Sequence, residues 1–495
     1  MKNTNQKVPM REKIGYSLGD SSANFVFQIM MVFQMGFYTD VFGISAVAAG
    51  SILLLARVFD AFVDPVVGIL SDRTNTKWGK YRPWILYTAL PFGLMFVLAF
   101  TTPDFDEKGK FIYAAVTYTL LMTLYSMMNT PYSALHGVMT SNIKERTSIS
   151  SIRFIFAMGA AFVVQGLTLP LVSKFGQGDD QKGWMMATGL FAVVAVIFLI
   201  ITAVSTKERI TPPPGQKTPI KQDLKDIFSN SPWRSMFILT LFLFTTLSMW
   251  GSSSFYFFSY YMDKQAIYDF LQMFGLAQTE VINNGIWFKI MDAFGLVVTG
   301  DYNNAFNVGF SFFNMVGQLV TIIGVITLSQ FLSNRFGKKS TFMVGLFLTA
   351  VFTAMFYIVP PKSVGLAFTL NILKSIAYAP TIPLLWAMMG DVADFSEWKN
   401  NRRATGFVFA GIVFGLKAGL GVGGWLLGLV LNAFGFVANV VQTETAIHGI
   451  RLSVSIIPAL IFMIGVIALY FYPITKKFNE EIQEELAVRR SKFTD

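Results

Sequence analysis

Arg57-Val-Phe-Asp-Ala-Phe-Val-Asp-Pro-Val-Val-Gly-Ile-Leu-Ser-Asp-Arg-Thr-Asn-Thr-Lys-Trp-Gly-Lys-Tyr-Arg82 joins two kinds of sequence that a soluble fold rarely puts side by side. Its first half closes an apolar run that opens at 46, yet it carries Arg57, Asp60 and Asp64 at i, i+3 and i+7. That spacing stacks the three charges on one helix face. Its second half is a polar turn holding Arg73, Lys77, Lys80 and Arg82. A long apolar helix ending in a basic turn reads as a membrane span that reaches the cytoplasm. Charges inside such a span are costly, which makes each a functional candidate.

The rest of the chain agrees. Of 495 residues, 53% are hydrophobic and 14% charged, against about 25% charged in soluble domains. Fifty Phe, 24 Met and 9 Trp could not be hidden inside one water-soluble core. About twelve spans of ~21 residues would absorb roughly half the chain. With no cysteine, disulfides, zinc–thiolate sites and thiol nucleophiles are excluded. Two histidines, His136 and His448, leave little for a metal cluster or a catalytic triad. No cleavable leader follows the polar, basic opening, so the first span is expected to be permanent.

Apolar stretches fall at 14–42, 46–71, 83–103, 111–136, 147–172 and 184–205, then at 235–262, 305–332, 340–359, 364–390, 403–433 and 451–475. The expected fold is therefore an all-α membrane protein of twelve helices in two six-helix bundles. Residues 1–205 form the first bundle, 206–234 a linker with a helix candidate at 221–228, and 235–475 the second bundle. An insertion at 263–304, with a helix candidate at 266–274, and a tail at 476–495 complete the division. With the N-terminus inside, the inner segments hold 27 of the 39 Lys and Arg and the outer segments 8. The bias sets both termini in the cytoplasm. It also accounts for the net charge of +10 with no nucleic-acid partner.

The turn at 68–82 has an echo, Leu332-Ser-Asn-Arg-Phe-Gly-Lys-Lys-Ser340, in the equivalent place of the second half. The first copy resembles the signature loop of the major facilitator superfamily. Asp72 and Arg73 in it are candidates for a lock that forms and breaks as the halves rock.

Inside the spans, Asp60 and Asp64 lie one turn apart in a low dielectric. Their repulsion raises the proton affinity of at least one, and the pair could also ligate a small cation. Either use makes them a coupling-ion site, with Arg57 in their charge network. Asn24, Ser126, Asn129, Ser133, Arg153 and Lys417 converge on similar depths. Arg153 and Lys417 can donate to sugar hydroxyls or a sugar carboxylate, and can pair with Asp60 and Asp64 when the site is empty. Lys374 has no evident partner in the sequence. His136 reads as a loop residue just past the fourth span. Trp250, Tyr256 and Tyr260 read first as packing or interface aromatics and second as a cavity lining.

Phe37-Tyr-Thr-Asp-Val-Phe-Gly43, Arg57 to Pro65, Ser71 to Trp84, Asn129-Thr-Pro-Tyr132, Gly390-Asp-Val-Ala-Asp-Phe-Ser-Glu-Trp-Lys399 and Arg402-Arg-Ala-Thr-Gly406 together carry a family. The chain resembles the glycoside-pentoside-hexuronide:cation symporters over nearly its whole length except 263–304. The resemblance implies alternating access, with sugar between two bundles and a cation on the span-2 carboxylates. By similarity to the family's melibiose carriers, Asp60, Asp64 and Ser126 match cation ligands. Asn24, Asn129, Arg153 and Lys417 match sugar-site or charge-network positions, and Ser133 stands where those carriers have a stacking Trp. Asn24 and Asn129 replace two carboxylates, which argues against melibiose and leaves an anionic hexuronide open. Val63 replaces a polar side chain, and one oxygen fewer favours H+ over Na+ as the coupling ion.

On the inner side, Asp391, Asp394 and Glu397 are expected to pair with Lys144 or Arg146 and close an inner gate. The expected function is cation-coupled sugar symport in a bacterial inner membrane, by a monomer surrounded by lipid. No cofactor beyond the coupling ion is expected, and the chain is not expected to be an enzyme. A lysolipid carrier on the same fold is the alternative.

Overall fold

The computed structural model describes residues 7–140, 142–210, 228–278, 285–299, 302–400 and 405–491. The linker helix candidate at 221–228 lies almost wholly outside them, as do Arg402 and Arg403. Ten helices are long and apolar enough to cross a bilayer. A bent pair, Met10–Val32 with Gln34–Phe42, makes an eleventh, and the 17-residue Arg82–Leu98 is the shorter twelfth.

Spans 1 to 6 are Met10–Val32 with its bent outer piece, Ala46–Arg73, Arg82–Leu98, Glu107–Met139, Ile143–Gly176 and Asp180–Ser205. Spans 7 to 12 are Ser231–Tyr256, Ala305–Phe336, Lys338–Ala354, the pair Val364–Tyr378 and Thr381–Asn400, Thr405–Ala433, and the pair Glu444–Val454 and Ile456–Tyr470. Most run past their apolar stretch by several residues. The reason is capping: Asp106, Asn142, Asp179 and Asn230 accept backbone N–H bonds at the starts of spans 4, 5, 6 and 7. Span 12 begins seven residues before the apolar run expected at 451, because Thr443 caps Glu444–Val454. Span 10 is broken beside Pro380, whose ring cannot continue the ladder.

The two six-helix bundles meet along spans 2 and 11 and along spans 5 and 8, with span 1 also touching span 7. An even number of spans brings Pro9 and the tail helix Lys476–Ser491 to one end, called here the terminal end. At the opposite, far end the halves are in close contact. Gly50, Gly424 and Gly428 let the backbones of spans 2 and 11 touch, and a Cβ at Gly50 would sit 2.9 Å from Gly424 O and 3.0 Å from Trp425 Cα. Ser252 of span 7 donates to Met31 O of span 1 at 3.0 Å. Among the described residues, the hydrogen bonds and ion pairs joining the bundles all lie at the level of Asp64 or toward the far end.

In the insertion, helices Lys264–Gln272 and Ile286–Ala293 are tied by a two-stranded parallel pairing of Ala277–Gln278 with Val298–Thr299. The first helix starts two residues before the expected one, capped by Asp263.

Gly50→Val will push spans 2 and 11 apart, since overpacking costs about 1–3 kcal/mol. The cysteine-free chain lets this be read cleanly. Ser252→Cys, buried in the seam, should react with an impermeant maleimide roughly tenfold faster in the Gly50→Val background. An unchanged rate would mean that this glycine contact does not hold the far end shut.

Candidate functional site

Span 2 carries Asp60 and Asp64 on the face turned toward spans 4 and 11. Ser126 of span 4 donates to Asp60 Oδ1, and Thr130, one turn further, donates to Asp64 Oδ1 at 3.2 Å. From span 11, Lys417 Nζ lies 2.8 Å from Asp60 Oδ2 and 2.5 Å from Asp64 Oδ2, and donates to Ser126 Oγ at 3.2 Å. The Asp60 side chain is fully buried, while Asp64 keeps 27% exposure and Lys417 12%. Because span 2 runs to Arg73, the pair sits deeper than its apolar run implies: Asp64 is roughly 14 Å and Asp60 roughly 20 Å from the helix end. The ammonium bridges both carboxylates and is itself the cation in the site. Two carboxylates and one ammonium leave a single negative charge in a low dielectric, which one further cation would neutralise.

Lys417 thus makes the pairing with Asp60 and Asp64 expected of it in an empty site, whereas Arg153, of which the same was expected, is held by Asp20. The physical reason is charge: a buried ammonium with two carboxylates in reach stays on them. Thr130 was missed by sequence reading, although it shares a helix face with Ser126 at i+4. Arg57 turns away from the carboxylates, over the Phe27 ring at 6.0 Å.

A second cluster lies on spans 1, 4 and 5. Arg153 Nε is 2.9 Å from Asp20 Oδ2, and the guanidinium sits over the Tyr132 ring at 5.5 Å. Asn24, one turn from Asp20, donates to Asp20 O at 2.9 Å. The Arg153 side chain keeps 34% exposure. Asn129 is half-buried and Ser133 exposed on neighbouring turns of span 4. Asp20 was overlooked, though the rule that singled out Asp60 applies equally to a carboxylate ten residues into an apolar helix.

Residues 15–295 and 269–476 match the MFS/sugar transport protein family. The chain belongs to that family. It is 33% identical to the inner membrane symporter YicJ of Escherichia coli (strain K12), over 97% of this chain and 95% of that one. It is 32% identical to an isoprimeverose transporter of Lactiplantibacillus pentosus, over 95% of this chain and 90% of that one. Among solved structures, a D-xylose-proton symporter superposes with TM-score 0.55 at 13% identity, covering 93% of this chain and 95% of the other, and shares the fold. The protein is thus a multi-pass membrane transporter of the major facilitator superfamily, and not an enzyme.

In this transporter the far end is sealed by polar contacts between the halves. Tyr260 of the span-7 extension donates to Asp40 Oδ2 at 2.8 Å, Asn439 donates to Asp40 O at 2.7 Å, and Thr39 and Tyr256 share a 2.7 Å bond. Tyr256 and Tyr260 belong to this seal, and Tyr260 also lines a cleft beside Asp40 and Lys264 at the far end. At the terminal end the expected pairing of Asp391, Asp394 and Glu397 with Lys144 or Arg146 is not formed. Asp391 binds Lys338 at 2.7 Å within its own half, and Asp394 accepts from Gln483 of the tail helix at 2.8 Å. Glu397 follows on the same helix. Arg146 donates to Thr140 O at 3.0 Å, finishing the end of span 4, and Lys144 is exposed. Among the described residues, none of these contacts crosses between the halves at this end.

The turn after span 2 is also built differently from the expected lock. Asp72 accepts from Tyr81 Oη at 2.8 Å, and burial together with this carboxylate pushes the Tyr81 hydroxyl up. Arg73 is exposed. Glu208, beyond span 6, accepts from the backbone N–H groups of Lys80, Tyr81 and Arg82 and so holds the positive end of span 3. His136 is inside the fourth helix and not in a loop. Its ring is 5.7 Å from Tyr16, and Nε2 is 3.1 Å from Ser150 Oγ.

Proposed function

We propose that the protein is a proton-coupled symporter that moves a glycoside, pentoside or hexuronide into the cytoplasm by alternating access, with both termini and the terminal end cytoplasmic. The observation that carries this reading is Lys417 Nζ held between Asp60 and Asp64, on a site sealed from the far end and reached through Asp64 from the other. A proton taken from outside neutralises one carboxylate and loosens the ammonium. Sugar then binds between the halves against Asn24, Asn129 and Arg153, with Lys417 freed to donate to it. The bundles rock, sugar and proton leave toward the cytoplasm, and Lys417 returns to both carboxylates. The arrangement described above corresponds to that emptied state. An internal cation closes the cycle without a second ion.

The choice of proton over sodium is supported by ligand supply. Sodium needs several oxygens in place of the ammonium, whereas a proton needs one basic carboxylate. Val63 adds no oxygen, and Thr130 restores only one. The sugar class is supported by the isoprimeverose transporter among the relatives, and symport by YicJ.

The test uses purified protein in proteoliposomes, with a panel of glycosides, pentosides and hexuronides and no sodium. Sugar-induced alkalinisation outside is the expected result. Alkalinisation absent without sodium, with uptake appearing only when sodium is added, would overturn proton coupling. Silence in both media would overturn the sugar reading.

A further inference from the structure

The second copy of the basic turn, Leu332 to Ser340, has no part in the transport cycle above. It joins spans 8 and 9 at the terminal end, as the first copy joins spans 2 and 3. In the first half, span 6 packs on span 3, and the chain leaving span 6 carries Glu208 to the start of span 3. There its carboxylate accepts from three backbone N–H groups. In the second half, span 12 packs on span 9 in the same relation. The chain leaving span 12 brings a lysine to the corresponding place. A Cβ on Gly337 would lie 3.2 Å from Lys476 Cβ, and Lys476 Nζ donates to Asn334 O at 2.9 Å. Span 9 opens at Lys338 with no side chain capping its first N–H groups. One half supplies its own anion to this helix end, and the other does not.

A cavity of ≈ 330 Å³ lies at that uncapped end. Lys338, Lys339 and Lys476 line it, with Asp391 buried beside them and Glu480 exposed. Asp391 holds Lys338 at 2.7 Å. Lys339 donates to Tyr470 O at 3.0 Å and Tyr472 O at 2.6 Å. Carbonyl partners leave the charges of Lys339 and Lys476 uncompensated. Tyr472 is the second observation. Its side chain is 1% exposed and lines the cavity, and its hydroxyl has no hydrogen-bond partner among the described residues. A buried hydroxyl left unpaired is costly, so it points to a partner that arrives from outside. A water would pair the hydroxyl but leave both ammoniums uncompensated.

We propose that this cavity binds the phosphate of an anionic phospholipid from the leaflet at the terminal end. The phosphate oxygens accept from Tyr472 Oη, from Lys476 and from the first N–H groups of span 9, in the role that the Glu208 carboxylate has in the other half. The two uncompensated ammoniums select a headgroup of net negative charge over a zwitterionic one. A lipid is the source, and not free phosphate, because Phe336 and Phe471 are more than half exposed. These rings are the chain neighbours of Gly337 and Tyr472 in the cavity wall, at span ends where lipid covers them.

The experiment is native mass spectrometry of the full chain in detergent, titrated in separate arms with dioleoylphosphatidylglycerol, dioleoylphosphatidylcholine and inorganic phosphate. Wild type should bind phosphatidylglycerol about tenfold or more tightly than phosphatidylcholine, with phosphate weaker than phosphatidylglycerol. Tyr472→Phe and Lys476→Gln should each lose most of that preference. Lys77→Gln, at an exposed lysine in the first copy of the turn, should keep it. Tyr472→Phe should also match or exceed the thermal stability of wild type without lipid, because the hydroxyl it removes is unpaired there. That measurement separates loss of the site from loss of the fold. Equal binding of the two lipids by wild type overturns the proposal. So does a preference that survives both cavity variants, or one that Lys77→Gln lowers as much, since either makes it diffuse attraction to a basic surface. Free phosphate that binds as tightly as phosphatidylglycerol, and is lost in the cavity variants, overturns the lipid as the source.

Discussion

Asp64→Asn will abolish uphill sugar accumulation and leave downhill exchange running. In the wild type, Asp60, Asp64 and Lys417 carry one net negative charge, which the transported proton neutralises in the proposed cycle. An asparagine cannot take that proton. With it in place, Lys417 and Asp60 form a neutral pair 2.8 Å apart, so the carrier crosses its occluded state with sugar alone. A membrane potential of 100 mV supplies about 2.3 kcal/mol per charge, roughly a fiftyfold concentration ratio, and all of it should vanish. Counterflow of labelled sugar, which needs no gradient, should persist within a fewfold. Asp60→Asn should behave alike in coupling but lose more protein, because the side chain it replaces is fully buried against Ser126 and Lys417. Full accumulation by Asp64→Asn would sink the coupling assignment, whichever cation is used.

The second large effect is at Arg153. Arg153→Gln strands the Asp20 carboxylate, whose side chain is only 12% exposed. Breaking a buried pair on one side costs about 3–5 kcal/mol, mostly from the charge left behind. The purified variant should therefore unfold at lower temperature in detergent and bind no sugar. Asp20→Asn combined with Arg153→Gln removes both charges and should recover most of the lost thermal stability. Transport should stay absent in that double variant, since the charge-assisted guanidinium donor to the sugar is gone and a neutral amide gives weaker hydrogen bonds. If the double variant transports, the pair is a structural strut and the sugar must be held elsewhere. If the single variant is as stable as wild type, Asp20 finds another cation as the bundles move.

Reading the chain alone recovers a good deal of this. The spans follow from apolar runs, and the expected ends are short by a few residues because capping groups such as Asp106 and Asn142 lie in polar sequence that hydropathy discards. The carboxylate pair is legible because both members sit on one helix, where a spacing of four residues is already a three-dimensional statement. Asp20 and Thr130 were legible by the same local rules and were passed over. The inner-gate pairing was expected across the halves and is found within one, at Lys338 and Asp391. Any inner loop offers Lys and Arg, so nothing local to Asp391 names its partner.

By itself, then, the sequence determined that the chain lives in a bilayer, that it spans it about twelve times, and that span 2 carries a paired-carboxylate site. Each of these depends on how one segment partitions between water and lipid, a property of neighbouring residues. Tertiary structure alone decided that, of the two candidate cations, Lys417 and not Arg153 sits on those carboxylates, that Asp20 neutralises Arg153, and that Lys374 is left, among the described residues, with only the Trp250 ring. Those choices depend on which helices pack together and at what depth. Whether a charge at membrane depth is satisfied is set by the few ångströms around it, and residues distant in the chain fill that space.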